Sequence, residues 1–270
     1  MVETSSLAGR MIGVTAERRA ADLCTSLERR GASVWHAPAM HTVPLPDDPR
    51  LRATTERVLA EPVDLVVFTT GMGMRGWVDA AHQWGQDEAL LATLERADIY
   101  VRGPKAKGAV RGAGLREHAS AESESNAELF ELVQADDLAG KRVVVQLHGV
   151  ALPEYVDALR AAGAEVLQVL PYRWEPPRQP ELVHALLDGV RDRRVDALTF
   201  TSAAAASGLL DIARTSGRLD GLLSAVRDGM VAACVGPITA APLIAEGMAV
   251  VQPARWRLGA LVNELEASFS

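Results

Sequence analysis

The sequence has few cysteines, few aromatic residues and no long apolar run. Only two of its 270 residues are cysteine, Cys24 and Cys234, which is too few for a disulfide framework and lacks the spacing of a metal site. We therefore expect buried thiols in a reducing compartment and no bound metal. No apolar run is long enough to span a membrane, and the opening MVETSSLAGR lacks the pattern of a signal peptide. We expect a cytoplasmic protein.

The sequence also has no excess of positive charge. Its formal net charge is -7 and its pI is near 5.4, so the chain as a whole does not attract nucleic acid or anionic membranes. We expect no direct nucleic-acid binding and no membrane partner, and any anionic ligand must be drawn by a local site. A length of 270 residues exceeds what one core usually fills, which favours two domains.

The sequence contains an internal duplication. Three pairs of segments match at a spacing of 132 or 133 residues, and such a period indicates two copies of a whole domain rather than a solenoid of short repeats. The pairs are Asp64 to Thr70 (DLVVFTT) with Asp196 to Ser202 (DALTFTS), Gly103-Pro104 with Gly236-Pro237, and a strand-helix segment that places Arg10 over Arg142 and Gly31 over Gly163.

Apolar strands in both copies end just where a helix is predicted to begin. The run VDALTF ends at Thr201 and Ser202, and VAACV ends at Gly236-Pro237, where proline suits the first helical turn. Parallel strands of one sheet end at one edge, so hydroxyls and unpaired helix N–H groups collect there. The pattern predicts an anion-binding edge. The two glycines that follow Thr70, at 71 and 73, would let a ligand approach the backbone.

A basic cluster follows Gly103-Pro104. Residues 104, 107 and 111 share one helix face, so Lys107 and Arg111 are predicted to point the same way, with Lys105 beside them. Lysines in a first turn oppose the helix dipole unless an anion is bound. The cluster is therefore either part of the anion site or a solvated basic face.

Other elements follow from periodicity and proline content. Helices are predicted over 18–30 and 51–60, and a further helix is capped at Ser125 or Asn126. The proline-rich segments AMHTVPLPDDPR and PYRWEPP fall at equal positions of the two copies, which suggests a paired two-strand hinge and a variable angle between the domains.

The order VFTT, GPKAKGAVRGAG, PYRW, FTS and VGPITAAPLIAEG resembles the uroporphyrinogen-III synthase family over nearly the whole chain. The resemblance implies two flavodoxin-like α/β domains, each a doubly wound parallel sheet of about five strands. It also implies that the first domain is built from both chain ends. Here that means residues 1–38 plus 176–270 for domain one, 44–170 for domain two, and 39–43 and 171–175 for the hinge strands.

The resemblance also implies a function. Members of this family close the linear tetrapyrrole hydroxymethylbilane to uroporphyrinogen III with inversion of the last ring, without metal or organic cofactor. A substrate with eight carboxylates suits helix N-termini that face a cleft between two domains. We expect this polycarboxylate as the small-molecule partner of a monomer.

The family's site residues carry over to named positions. Tyr172 stands where the family has the tyrosine credited with helping the leaving hydroxyl, although a tyrosine packed at a domain edge would look the same in sequence. The implied substrate-binding positions are Thr69, Thr70, Gly103, Pro104, Lys105, Thr201, Ser202, Gly236, Pro237 and Thr239, with Arg18 or Arg19 as a further cation that a solvated helix face would equally explain.

One segment departs from the family pattern. After the strand VVVQLHG, the chain has His148 followed by apolar residues where synthases usually carry an arginine or a polar glycine-rich turn. QLHG and PYRWEPP together resemble an actinobacterial subgroup in which a synthase-like domain precedes a winged-helix domain, as in regulators of nitrate and nitrite assimilation. A neutral His148 could bind a metal or an anion, or be a simple surface residue.

Three functional hypotheses therefore stand. The first is an active synthase. The second is a synthase-like sensory domain that binds a small anion or a tetrapyrrole without turnover. The third is a two-domain periplasmic-type binding protein, which would need an export signal. Fold alone does not choose among them.

Overall fold

The protein is described by a computed structural model over residues 7–269. The chain divides into two compact units. Unit 1 is formed from both ends of the chain, up to His41 and from Glu175 onward, and unit 2 is the middle of the chain, Thr42–Trp174. The first predicted domain also includes residues 1–6 and 270, which lie outside the described residues.

The described residues form eleven strands and twelve helices. In chain order they are β1 (Met11–Val14), α1 (Ala20–Glu28), β2 (Ser33–His36), β3 (His41–Pro44), α2 (Pro49–Ala60), β4 (Leu65–Phe68), α3 (Gly71–Gln83), α4 (Asp87–Glu95), β5 (Asp98–Val101), α5 (Pro104–Gly112), β6 (Ala119–Ser120), α6 (Asn126–Gln134), β7 (Arg142–Gln146), α7 (Pro153–Ala161), β8 (Glu165–Val169), β9 (Tyr172–Glu175), α8 (Pro180–Arg191), β10 (Ala197–Phe200), α9 (Ala203–Thr215), α10 (Leu219–Arg227), β11 (Val231–Cys234), α11 (Pro237–Ala245) and α12 (Leu258–Ala267).

The unit 1 sheet has four parallel strands in the order β11-β10-β1-β2. Strands from the two ends of the chain thus pair directly at its centre. Asp196 joins the amino ends of β1 and β10, because its carboxylate accepts the Met11 N–H at 2.8 Å and a hydrogen from Arg10 at 2.9 Å. About five strands were expected; a single parallel bridge between Ala233 and Val251 stands in place of a fifth.

The unit 2 sheet has five parallel strands in the order β6-β5-β4-β7-β8. The run β5-β4-β7-β8 repeats the order of the unit 1 sheet. Asp64 repeats the role of Asp196, accepting the Arg142 N–H at 2.8 Å and pairing with Lys141 at 3.1 Å. The predicted fold class and its duplication are therefore confirmed.

Each sheet is covered by apolar side chains on both faces. In β4, Val66 and Phe68 join one apolar cluster, whereas Leu65 and Val67 join the other. Successive residues of a strand point to opposite faces, so a strand buried on both sides is apolar throughout. This is why β4, with the sequence LVVF, is apolar at every residue and not only at every second one.

The two predicted proline-flanked segments pair with each other as the two-stranded sheet of β3 and β9. Beyond β3, the Leu45 N–H donates to the Pro171 carbonyl at 2.9 Å. The expected variation of the angle between the two domains stays a prediction.

Two predicted helix boundaries were wrong by a few residues. The first helix begins at Ala20 rather than 18, because Arg19 adopts a left-handed backbone with φ 55. The second begins at Pro49 rather than 51, because the Asp48 carboxylate accepts the N–H groups of Arg50 and Leu51 and caps the helix. The predicted cap at Ser125 is confirmed by its bond from the Glu128 N–H at 3.2 Å.

The cysteines differ in burial. Cys234 is buried, and this burial raises the pKa of its thiol to about 12. Cys24 is only half-buried, so the expectation of two buried thiols holds for one of them. Among residues 7–269, no helix has the length and apolar character needed to span a bilayer.

A buried polar link stabilises the α2–α3 contact. The Trp77 indole N–H donates to the Thr55 hydroxyl at 2.8 Å, and this hydroxyl donates to the Leu51 carbonyl at 2.8 Å. Both side chains are fully buried. An unpaired N–H in such a place costs free energy, because no water replaces the lost partner.

We expect Thr55→Val to lower the free energy of unfolding by about 1–3 kcal/mol, since the isosteric side chain leaves the Trp77 N–H without an acceptor. Chemical denaturation measures the loss. Thr215→Val is the matched control, because the exposed Thr215 hydroxyl makes the same bond to a carbonyl one turn back, Asp211, at 2.8 Å. Equal losses in the two variants would contradict the assignment.

Candidate functional site

The carboxyl ends of β4, β5 and β7 carry the predicted site residues of unit 2. Thr69 and Thr70 follow β4, the segment Gly103 to Lys105 follows β5, and His148 lies just after β7. These three strands are parallel neighbours, with β4 between β5 and β7. The residues therefore lie along one edge, as the pattern predicted.

Thr70 caps helix α3. Its backbone is extended, and its hydroxyl oxygen accepts the Gly73 N–H at 3.0 Å. This is the usual N-cap arrangement, in which a side-chain oxygen replaces a missing carbonyl acceptor of the first turn. The hydroxyl of Thr70 is thus fixed in position by the helix it caps.

Gln146, the last residue of β7, holds the turn that carries Thr70. It is fully buried. Its side-chain oxygen accepts the Thr70 N–H at 3.0 Å, and its backbone carbonyl accepts the Thr69 hydroxyl at 2.7 Å. Its amide nitrogen donates to the Leu147 carbonyl. The site prediction did not include Gln146, although one polar residue within the apolar run VVVQL was a usable signal.

The glycines of α3 serve packing rather than ligand access. A Cβ at Gly73 would overlap the Gln146 amide, and a Cβ at Gly71 would overlap the Lys105 backbone carbonyl. The expectation that these glycines admit a ligand was therefore wrong: protein atoms occupy that space.

Tyr172 begins β9 and is 3% exposed. Its hydroxyl lies 3.2 Å from the Thr70 hydroxyl, within hydrogen-bond distance. Its ring lies 6.5 Å from the ring of Trp174. The structure thus brings the predicted catalytic side chain to the predicted binding residue Thr70. The hydroxyl therefore has a partner in the protein, whereas the alternative of a tyrosine packed at a domain edge would leave its hydroxyl in water.

Arg102 was absent from the predicted site but belongs to this edge. It follows β5 directly in the chain, and its side chain is half-buried. Its guanidinium donates to the Asn126 side-chain oxygen at 3.2 Å. Burial lowers the pKa of Arg102, while the negative charge of Glu124 and the Tyr172 hydroxyl oppose this change. The signal for it was an arginine at the end of an otherwise apolar strand.

His148 lies at the same edge and is half-buried. Among residues 7–269 its Nδ1 atom is buried and has no hydrogen-bond partner. Its ring meets the Trp174 ring edge-on at 5.6 Å. Burial first, and the positive charge of Arg102 second, lower the pKa of His148 to about 4. The imidazole is therefore neutral at neutral pH.

The edge of unit 1 carries the remaining predicted residues. Ser202 caps α9 by accepting the Ala205 N–H at 3.2 Å, with Thr201 just before it. Gly236 and Pro237 begin α11 after the neighbouring strand β11, and Thr239 in the first turn is buried. A Cβ at Gly236 would lie 2.9 Å from Trp256 Cγ, so glycine is required by packing.

Arg18 lies in the turn after β1, which also ends at this edge, and is exposed. Its neighbour Arg19, the alternative cation, pairs with Asp22 at 3.0 Å. The structure therefore leaves Arg18 as the better of the two candidates.

The basic cluster of α5 has a partner inside the protein. Lys107 and Arg111 both bind Glu117, at 2.9 and 2.6 Å. The hydrogen bond from Arg111 is the main reason that the pKa of Glu117 falls to about 2. These two cations share a direction as predicted, but their anion is a side chain and not a ligand. Lys105 is exposed at the start of the helix.

Among residues 7–269, no group of three or more histidine, cysteine or acidic side chains is arranged to hold a metal ion. The groups gathered at the two edges are hydroxyls, helix N–H groups and a few cations. Such groups bind carboxylates and other oxyanions.

Fold and site together define a class: duplicated α/β proteins of two parallel-sheet units, with hydroxyls and helix N–H groups at the carboxyl ends of the strands. The chain belongs to the uroporphyrinogen-III synthase HemD family, whose model matches residues 21–263.

Two individual relatives match most of the chain. The chain is 32% identical over 263 residues to an uncharacterized protein, YjjA, of Bacillus subtilis, covering 96% of each. It is 27% identical to a putative uroporphyrinogen-III synthase of Methanothermobacter thermautotrophicus, covering 77% of this chain and 79% of the relative.

Solved structures give the same result. A crystal structure of a mutant uroporphyrinogen III synthase from the extremely thermophilic bacterium Thermus thermophilus matches with a TM-score of 0.80 at 28% identity, covering 96% of this chain and 98% of that one. The uroporphyrinogen-III synthetase of Helicobacter pylori matches at 16% identity with a TM-score of 0.54, over 97% and 100% of the two chains, and supports the fold alone.

The depressed pKa of His148 predicts a pH dependence of stability. Between about pH 6.5 and 4 the unfolded chain binds a proton at His148 that the folded protein does not. Stability therefore falls as pH is lowered through this window. We expect His148→Asn to reduce the stability lost between pH 7.5 and 5.0 by about 1–2 kcal/mol, measured by urea unfolding.

His82 provides a control of opposite sign. Its hydrogen bond to Asp87 raises the pKa of His82, so its contribution is present at low pH and is lost as pH rises through the raised value. His82→Asn should therefore increase the stability lost on acidification. The same response from both variants would show that His148 is not the buried neutral group described.

Proposed function

We propose that this chain is a uroporphyrinogen-III synthase. In this reaction the terminal C–O bond of hydroxymethylbilane breaks and water leaves. The freed methylene carbon bonds to the α-carbon of the last pyrrole that already carries a bridge, and the older bond from that α-carbon to the bridge breaks. The bridge carbon then bonds to the other α-carbon of the same ring, which loses its proton, so the ring is inverted as the macrocycle closes to uroporphyrinogen III. The pyrroles supply the electrons, so no oxidant and no cofactor is needed. Membership of the family supports the proposal at its most general level.

One observation carries the proposal within the family: the Tyr172 hydroxyl lies 3.2 Å from the Thr70 hydroxyl at the carboxyl edge of unit 2. Thr70 is held by the Gly73 N–H and by Gln146. When the Thr70 hydroxyl donates to the Tyr172 oxygen, the Tyr172 proton becomes available to another acceptor. That acceptor would be the leaving hydroxyl, whose protonation lets it depart as water.

The remaining groups would bind and orient the substrate. A linear tetrapyrrole is flexible, so holding it in a closing geometry removes much of the entropy cost of ring formation. Its carboxylates need hydrogen-bond donors. Thr201, Ser202 and Thr239, with the helix N–H groups beside them, are proposed to supply donors from unit 1.

Tyr172→Phe tests the acid role. We expect kcat to fall by about 10²-fold, the lower end for positioned acid catalysis, because the pyrrole can expel the hydroxyl without help. KM should change little, since one hydroxyl is removed from a side chain that stays packed. The assay follows hydroxymethylbilane consumption and separates isomers I and III. A Tyr172→Phe enzyme with unchanged kcat would remove Tyr172 from the mechanism.

Thr201→Val with Thr239→Val tests the binding role. Each hydrogen bond lost to a carboxylate costs about 1.5–3 kcal/mol, so we expect KM to rise while kcat changes little. Ser207→Ala, on helix α9 but away from its first turn, is the control. An effect on kcat alone would place these hydroxyls in the chemical step instead.

A second candidate is a sensory domain that binds a small anion or a tetrapyrrole without turnover, including as part of a winged-helix regulator. The departure from the family pattern at His148, whose Nδ1 is buried without a partner among residues 7–269, favours it. If the unmodified protein yields only isomer I, the product of spontaneous closure, the synthase proposal fails and the sensor remains.

A further inference from the structure

Gln146 is a fully buried polar side chain whose amide is fixed at both ends. Its amide oxygen accepts the Thr70 N–H at 3.0 Å, and its amide nitrogen donates to the Leu147 carbonyl. A backbone N–H can only donate and a carbonyl can only accept, so these partners determine which end of the amide is oxygen. The amide therefore cannot turn over without losing both bonds.

Gln146 holds the segment after β4 at two successive residues. β7 pairs with β4 in parallel, with Gln146 opposite Phe68. Thr69 donates its hydroxyl to the Gln146 backbone carbonyl at 2.7 Å, and Thr70 donates its N–H to the Gln146 side chain. A buried polar network whose bonds are made is rigid. The backbone that carries the Thr70 hydroxyl is therefore fixed by one glutamine.

The Thr70 hydroxyl has its hydrogen bonds arranged by the same contacts. Its oxygen accepts the Gly73 N–H at 3.0 Å. In the part of the chain that the structure describes, two acceptors lie near its own hydrogen: the Tyr172 oxygen at 3.2 Å and the Gln146 side-chain oxygen at 3.5 Å. Hydrogen bonds between oxygens weaken as they lengthen, so the nearer acceptor is favoured. Thr70 then donates to Tyr172, and the Tyr172 hydrogen is not directed at Thr70.

Gly73 makes room for the Gln146 amide. A Cβ at this position would lie 1.9 Å from the amide nitrogen. The matching residue of unit 1 is Ala205, and both residues donate their N–H to the hydroxyl that caps their helix. The cap itself therefore tolerates alanine. Glycine at position 73 is required by Gln146.

We propose that Gln146 is a positioning residue for Tyr172, which acts by holding the Thr70 hydroxyl as a hydrogen-bond donor to the Tyr172 oxygen. Because Gln146 is fully buried, it acts on Tyr172 through Thr70 and not by contact with a substrate. The effect on turnover rests on the proposed function, in which Tyr172 protonates the leaving hydroxyl. The positioning contact itself does not depend on that function.

Gln146→Met tests the role, because methionine is of similar length and lacks the amide donor and acceptor. The assay follows hydroxymethylbilane consumption and separates isomers I and III. We expect kcat to fall about tenfold, less than in Tyr172→Phe, because the tyrosine hydroxyl remains but is misplaced. KM should change little, since no group that could reach the substrate is removed.

A double variant separates positioning from a general loss of structure. If Gln146 acts through the Tyr172 hydroxyl, Gln146→Met with Tyr172→Phe should have the kcat of Tyr172→Phe alone, because the group to be positioned is absent. Effects that multiply in the double variant would overturn the proposal.

Thr55→Val is the matched control for stability. Thr55 is another fully buried polar side chain of unit 2, and its loss leaves the Trp77 N–H without an acceptor. Thr55→Val should therefore be destabilised but keep its kcat, measured well below its unfolding temperature. A fall in kcat as large as that of Gln146→Met would show that any destabilisation of unit 2 suffices, and would also overturn the proposal.

Gly73→Ala with Gln146→Val covers the case in which Gln146→Met does not fold. Valine lacks the amide atoms that the added Cβ would meet, so it relieves the overlap without restoring the hydrogen bonds. Thermal unfolding should show this variant to be more stable than Gly73→Ala alone, while its kcat stays low. Recovery of kcat together with stability would show that Gln146 serves packing alone.

The Tyr172 ring gives a readout that needs no turnover. The chain has three tyrosines, so the NMR signals of isotope-labelled tyrosine rings can be assigned with Tyr172→Phe. Gln146→Met should shift the Tyr172 signal and leave that of Tyr100, which bonds to Asp136, unchanged. An unshifted Tyr172 signal would overturn the positioning contact. If the signal shifts but the unmodified protein makes only isomer I, the contact stands and the synthase proposal fails.

Discussion

The parallel pairing of distant strands is the interaction on which the structure depends. β1 pairs with β10 and β4 pairs with β7, so each sheet is completed only when distant parts of the chain meet. Asp196 and Asp64 join these pairs at their amino ends through the same bonds to a backbone N–H. Because these bonds fix the register of the parallel strands at their amino ends, the carboxyl ends of the strands lie side by side at the opposite edge of each sheet. The edge that carries the candidate site residues is a consequence of this pairing.

On that common plan the two units have diverged. In unit 2, Gln146 is buried at the end of β7, next to the central strand β4, and fixes the turn that carries Thr70. The matching position of unit 1 is Val14, a core residue. A buried amide is stable only when its hydrogen bonds are made, so it specifies the turn more sharply than an apolar residue does. The strand ends with a buried polar side chain are therefore those of unit 2, which also carries Tyr172.

Among the described residues of unit 2, some charged side chains have an oppositely charged partner and others do not. Lys107 and Arg111 are neutralised by Glu117 and contribute to structure. Within residues 7–269, Arg102 is hydrogen-bonded only to the neutral side chain of Asn126. Spacing along the helix cannot show that Lys107 and Arg111 are paired, because their acid, Glu117, lies in the loop after α5.

The sequence by itself determined the fold class, the duplication and the strand ends at which Thr70 and Gly103 lie in unit 2 and Ser202 lies in unit 1. It could do so because buried parallel strands are apolar throughout and helix starts require particular residues. Only the tertiary structure decided that Tyr172 meets Thr70, that Gly73 makes room for Gln146, and that Lys107 and Arg111 meet Glu117. These contacts join residues from different strands, and their distances depend on packing that no local pattern records.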